Sequence, residues 1–278
     1  MLLLHSILNL VALLLWVNWR GMGFKEYVPY RSTLVHTLRT AEPQPARRWR
    51  YLAALAGLLF VRGLLYQLVG PALKWVPLID LGVVTVPFRS DLPWRMTLYS
   101  VLSFGVLWIS FQICLLLLSV INRAVPDAQP IQHLVRLHLG RIERWPIAVK
   151  LLLPLFSGLL WLPIHPLLTA VGLLPAAPSF VLVVEQAAVL GFASLLAWKY
   201  LLLGVLVVHL VNSYIYIGRF QLLDFISETA RHLLSLLRGI PLRLGRVDFA
   251  PIVMGALVWL VAWAFELGLV GVFRKLPL

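Results

Sequence analysis

Arg62, Glu185, Lys199, His209 and Glu266 stand inside stretches that are otherwise almost wholly apolar. A charge held in the middle of a bilayer costs about 2.5–3.5 kcal/mol, so such a residue pairs, faces other helices, lines a water-filled path or snorkels to the surface. Helical rise at about 1.5 Å per residue places Arg62 about 18 Å beyond Arg50 and Lys199 about 20 Å before Asn212. Glu266 falls about 27 Å beyond Asp248, and Glu185 reaches the opposite interface. Glu266 is therefore expected to pair with Lys199 or Arg62. Alternating steps of four and three residues put Gly255, Trp259, Ala262 and Glu266 on one side of a helix, the side expected to be buried. The rival reading has Lys199 snorkelling from a lipid-facing position.

Other chemistry finds little to stand on. The chain has 7 histidines and 1 cysteine. Two axial haem ligands need matching depth on facing helices, and His165 and His209 mismatch, so the histidines read as isolated groups satisfied by their neighbours. Cys114 has no second cysteine with which to form a disulfide or a thiolate metal site. No phosphate loop, HExxH, GxSxG or acidic metal constellation occurs. The expectation is a protein without catalysis, metal or cofactor.

Hydrophobic residues make up 61% of the 278 residues and charged residues 13%, which a soluble domain of this size cannot accommodate. The chain reads as an all-α polytopic membrane bundle with apolar segments near 2–18, 51–71, 96–122, 149–174, 180–213 and 250–272. The first reads as a retained helix, because no basic residue precedes it and no small-residue cleavage site follows. The fifth is long enough, at about 50 Å, to tilt or project. Pro154, Pro163 and Pro166 should kink or break the fourth, leaving spanning and re-entrant forms open. Lys and Arg number 24 against 11 acidic residues, an excess that marks cytoplasmic loops, not nucleic-acid binding. Segments 19–50, 123–150 and 214–249 carry that excess, whereas 72–95 is nearly balanced and 175–179 is uncharged. The bias places the three basic segments in the cytoplasm and both termini outside, against the small contrary signal of Arg274-Lys275.

The runs IQHLVRLHLGRI (131–142) and LLDFISETARHLLSLL (222–237) have helical apolar spacing with polar residues opposite. They are expected to lie in the lipid headgroups, the alternative being packing on neighbouring segments. Each follows a long apolar segment ending in an asparagine, Asn122 or Asn212, and precedes another apolar segment. This order describes two parallel units, 91–175 and 180–274, behind an N-terminal two-helix addition, 1–90. Ala53-xxx-Gly57 and Ala187-xxx-Gly191 are candidate close helix contacts.

Leu244-Gly245-Arg246-Val247-Asp248-Phe249-Ala250-Pro251 is the most specific motif. Asp248 fits an N-cap that takes a first-turn N–H, with Gly245 permitting the turn and Pro251 third in the helix, where its missing N–H costs nothing. With the amphipathic stretch before it, the motif resembles that of the YggT family of small bacterial and plastid membrane proteins. It matches the family's Gly, Asp and Pro positions and departs at Arg246, where a second glycine is usual, and at Ala250, where serine is usual. The first unit lacks the turn, and 1–90 lies outside the resemblance. The resemblance implies an inner-membrane protein that scaffolds or assists a membrane complex, in osmotic tolerance, division or cofactor maturation. Its partners would be the lipid bilayer and a membrane protein or a second copy. The competing class is a small-solute or ion transporter or channel using Arg62, Lys199 and Glu266.

Overall fold

The computed structural model describes residues 2–21, 49–73, 75–90, 92–123, 130–215, 220–237, 239–240, 242–244 and 247–276. Gly245 and Arg246, and most of the segment 19–50, lie outside these residues. The chain is an all-α multi-pass membrane protein. Among the described residues, six helical stretches are long and apolar enough to cross a membrane: Leu3–Arg20, Trp49–Val69, Pro93–Ile121, Ile147–Ala170, Phe180–Tyr214 and Ala250–Phe273. It divides into two compact units, one of residues 1–79 with 87–108, the other of 80–86 with 109–278.

In the first unit α1 (Leu2–Gly21) packs on α2 (Trp49–Val69), and the first half of α3 (Pro93–Ile121) lies against α2. Along the chain β1 (Leu78–Asp80) and β2 (Thr85–Pro87) come between α2 and α3, and residues 80–86 belong to the second unit. Tyr66, Trp75, Phe88 and Tyr99 meet edge-to-face or tilted, with ring centroids 5.2–5.9 Å apart. This geometry suits aromatic quadrupoles. Gly63 lets α2 approach α3, because a Cβ there would come 2.8 Å from Thr97 Cα. Ala53 and Gly57 are exposed, and a Cβ at Gly57 would meet nothing within 4 Å. The first of the two expected small-residue contacts is therefore not made among the described residues. α2 turns that side outward and uses Leu55, Arg62, Gly63 and Tyr66 for packing.

In the second unit the end of α3 packs through Leu115 and Leu116 on Val135 and Leu139 of α4 (Pro130–Leu139). A 3-10 turn, Gly140–Arg144, leads to α5 (Ile147–Leu152), a 3-10 stretch Leu153–Leu160 and α6 (Trp161–Ala170). The expected break is thus a change of helix type. Pro154 lacks an N–H for the α-helical ladder, and the chain tightens into i→i+3 turns without leaving helix. The buried side of this composite helix runs through Lys150, Pro154, Gly158, Trp161, His165 and Leu168.

The fifth apolar segment is two helices, not one long one: α7 (Phe180–Ser194) and α8 (Ala197–Tyr214). Neither glycine nor proline breaks it. The Ser194 hydroxyl bonds the Gly191 carbonyl at 2.7 Å and the Pro154 carbonyl at 2.9 Å, and the next amides make i→i+3 bonds. A side chain competing for the ladder at a helix end has this effect. α7 packs closely on Leu153–Leu160 because both contribute glycine. A Cβ at Gly158 would overlap the Ala187 carbonyl oxygen, and one at Gly191 would overlap the Leu155 carbonyl oxygen. The Ala187-xxx-Gly191 contact is real.

α9 (Gln221–Leu234) packs on α8 and on α4, and α10 (Ala250–Phe273) packs on α8 and α7. α4 and α9 each pack on protein along part of their apolar side, and Ser227 and Thr229 are buried with Phe225 and Ala230. Val135, Leu139 and Ala230 of the two apolar stripes are buried, Leu223, Ile226, Leu233 and Leu234 are half-buried, and Leu134 and Leu222 are exposed.

Candidate functional site

The polar side chains buried in the apolar helices form separate clusters. In the first unit Arg62 is 0% exposed, although guanidinium groups are rarely buried without a carboxylate. Its Nε donates to Ser100 Oγ at 2.8 Å and one Nη to Ser103 Oγ at 2.8 Å. The Nη atoms also donate to Asn9 Oδ1 and to the Ser100 carbonyl, and the group lies 5.7 Å from the Tyr66 ring centroid. All these partners are neutral. Asn9 spends its oxygen on Arg62, so its amide nitrogen must donate to His5 Nε2, 2.9 Å away. His5 is then the neutral tautomer with its proton on Nδ1, donating to Tyr66 Oη at 2.9 Å. One chain of hydrogen bonds joins α1, α2 and α3.

In the second unit Lys199 of α8 donates to Glu266 of α10 at 3.1 Å. Of the two expected partners for Glu266, Lys199 is the one that this contact joins to it, while Arg62 is engaged by Asn9, Ser100 and Ser103. The buried side of α10 differs from expectation at one residue. Trp259 is exposed and stacks on Trp263 with the rings 7° from parallel, while Gly255, Ala262 and Glu266 are half-buried. The packed line runs Pro251, Met254, Val258, Ala262, Glu266, Leu269 and Phe273. Val258 replaces Trp259 because it stands four residues from both Met254 and Ala262.

Asn122 is fully buried at the end of α3. Its amide donates to Thr229 Oγ1 at 2.8 Å, its side-chain oxygen meets His232 Nδ1 at 3.2 Å, and its backbone oxygen accepts from Gln132 at 3.2 Å. Asn212, at the end of α8, donates to Ser227 Oγ at 3.3 Å. Each asparagine fastens the end of a long helix to amphipathic α4 or α9.

Around Asp248 the register shifts by one. β3 (Arg243–Leu244) pairs antiparallel with β4 (Val247–Asp248), and Phe249 is the cap residue of α10. Asp248, expected at the cap itself, precedes it and accepts the Ala250 N–H at 3.0 Å. Pro251, expected third, is the second helical residue. The hairpin holds Asp248 in extended backbone, so the chain reaches helical geometry only at Phe249. The carboxylate still satisfies a free first-turn donor. Asp248→Asn should be within a few tenths of a kcal/mol of wild type, and Asp248→Leu should cost about 1 kcal/mol in unfolding free energy. Loss of function in stably folded Asp248→Asn would assign the carboxylate a charge-dependent role.

One cluster escaped the sequence altogether. Lys150 is 4% exposed and donates to Ser119 Oγ at 2.8 Å and Glu143 Oε2 at 3.1 Å. Ser119 also donates to Glu143, whose other oxygen is 3.6 Å from Arg136. Serine beside lysine at this distance has the outline of a nucleophile and a base. Here the Glu143 carboxylate lies against both groups. Lys150 donates to both neighbours, Ser119 aims its proton at Glu143, and Ser119 is 0% exposed. In the sequence Arg136, Glu143 and Lys150 are charges of the segment 123–150, and no spacing links them to Ser119. Asn9, Ser100 and Ser103 left a weak signal, as polar residues in apolar runs.

Compared with protein-family models, curated proteins and solved structures, the chain matches none.

Proposed function

We propose that this chain is a non-catalytic inner-membrane protein of YggT type that scaffolds or assists the assembly or maintenance of a membrane complex. The observation that carries this reading is the use made of buried charge. Arg62, Lys150 and Lys199 are each engaged by side chains of their own unit, which joins helices to one another. The pairing of β3 with β4 before α10, with Asp248 on the first helical N–H and Pro251 second, supports the family resemblance. The asparagine contacts at the ends of α3 and α8 support two parallel units, 91–175 and 180–274. The basic segments then face the cytoplasm and both termini lie outside. Labelling of Arg141→Cys by an impermeant thiol reagent in intact cells, in a Cys114→Ser background, would overturn that orientation. Photocrosslinking from α9 and α10 followed by purification from native membranes should capture a defined membrane protein or a second copy. Recovery of the chain alone from every position would sink the scaffold reading.

One observation favours the transporter reading. The Glu266 side chain is 39% exposed on an apolar helix, where a carboxylate needs its cation or water. In proteoliposomes, proton or ion flux abolished by Glu266→Gln would replace the scaffold with a transporter.

A further inference from the structure

We propose that Arg141, Arg144 and Trp145 form a docking site for the headgroup of an anionic phospholipid. The geometry begins with the 3-10 turn Gly140–Arg144. Three residues per turn place positions i and i+3 on the same side, so the Arg141 and Arg144 side chains leave the turn together. Both are exposed, and neither has a carboxylate partner among the described residues. The one acid in this turn, Glu143, points the other way and is engaged by Ser119, Lys150 and Arg136. Among the described residues two guanidinium groups are thus left uncompensated at one spot. Arginine forks match phosphate oxygens in paired hydrogen bonds, and a second positive charge favours a lipid with net negative charge over a zwitterionic one.

The surroundings fit a lipid better than a soluble anion. Trp145 follows at 44% exposure, and indole rings settle at headgroup level. Beyond it Ile147, Leu152, Phe156 and Leu159 are 38%, 55%, 61% and 54% exposed, while Lys150, Pro154 and Gly158 turn inward. Val149, at 40%, Leu152, Phe156 and Leu159 stand three, four and three positions apart and make one apolar strip leading away from the arginines. Charge, indole and hydrocarbon follow one another in the order of a phospholipid's headgroup, interface and acyl chains.

The full chain, reconstituted in nanodiscs mixing phosphatidylcholine and phosphatidylglycerol, should retain phosphatidylglycerol preferentially when extracted lipids are counted by native mass spectrometry. Arg141→Gln/Arg144→Gln should cut that preference by roughly tenfold or more, with an unchanged Tm in pure phosphatidylcholine. Arg274→Gln/Lys275→Gln removes the same charge elsewhere and should keep the preference. Should the glutamine pair lower that Tm, Arg141→Lys/Arg144→Lys, which keeps the charge but not the fork, should still show a smaller loss. No preference in wild type, a preference untouched by the glutamine pair, or equal loss in both glutamine double variants would overturn the site.

Discussion

Gly191→Val should destabilise the second unit by about 3 kcal/mol or more, and Gly158→Val should do the same. At both positions the new Cβ alone overlaps a backbone carbonyl oxygen of the facing helix, and backbone cannot swing aside as a side-chain tip can. Overpacking of a close contact costs about 1–3 kcal/mol where side chains can rearrange, and these contacts exceed that case. Separation of α7 from Leu153–Leu160 would also strip the Trp161 Nε1–Gln186 Oε1 bond of 3.0 Å and the Ser194–Pro154 bond. Gly57→Val is the matched control. It sits in an equally plausible small-residue motif but meets open space, so its effect should stay within about 0.5 kcal/mol. Denaturation in mixed micelles, followed by tryptophan fluorescence, measures all three. Equal effects at Gly57 and Gly191 would refute the packing account.

Asn9→Leu should cost about 2–3 kcal/mol, more than Arg62→Met. Removing Asn9 Oδ1 leaves a buried cation short of an acceptor, and hydrogen bonds to charged groups contribute about 1.5–3 kcal/mol. Removing Arg62 also removes the charge. Ser100 can still donate to the Leu59 carbonyl at 2.7 Å and Ser103 to the Ser100 carbonyl at 3.2 Å. Buried charge exchanged for an apolar side chain of similar length is often nearly neutral. The double variant should therefore recover most of what Asn9→Leu loses. Additive losses in this cycle would mean that Asn9 serves packing alone.

The sequence made the helices legible because their apolar runs are long. Arg62, Lys199 and Glu266 stood out against those runs by charge. What it concealed depends on partners distant along the chain. Ser119 is an unremarkable hydroxyl until Glu143 and Lys150 fold onto it, and Asn9 is one polar residue among leucines until Arg62 reaches it. The one-residue errors at Asp248 and Trp259 have another origin. Periodicity gives spacing along a helix but not its rotation, and that depends on where the preceding hairpin delivers the chain.

The Asn122–Thr229 bond joins residues 107 positions apart. At about 5–20 residues per second of synthesis, the wait between the two is about 5–20 s. Throughout that interval the end of α3 carries an amide whose permanent partners do not yet exist. α3 must therefore enter the membrane with Asn122 hydrated or held by other protein groups, and it acquires its final neighbours only after α9 emerges. Assembly of the second unit is in this respect a late event, completed from the C-terminal side back toward a helix made much earlier.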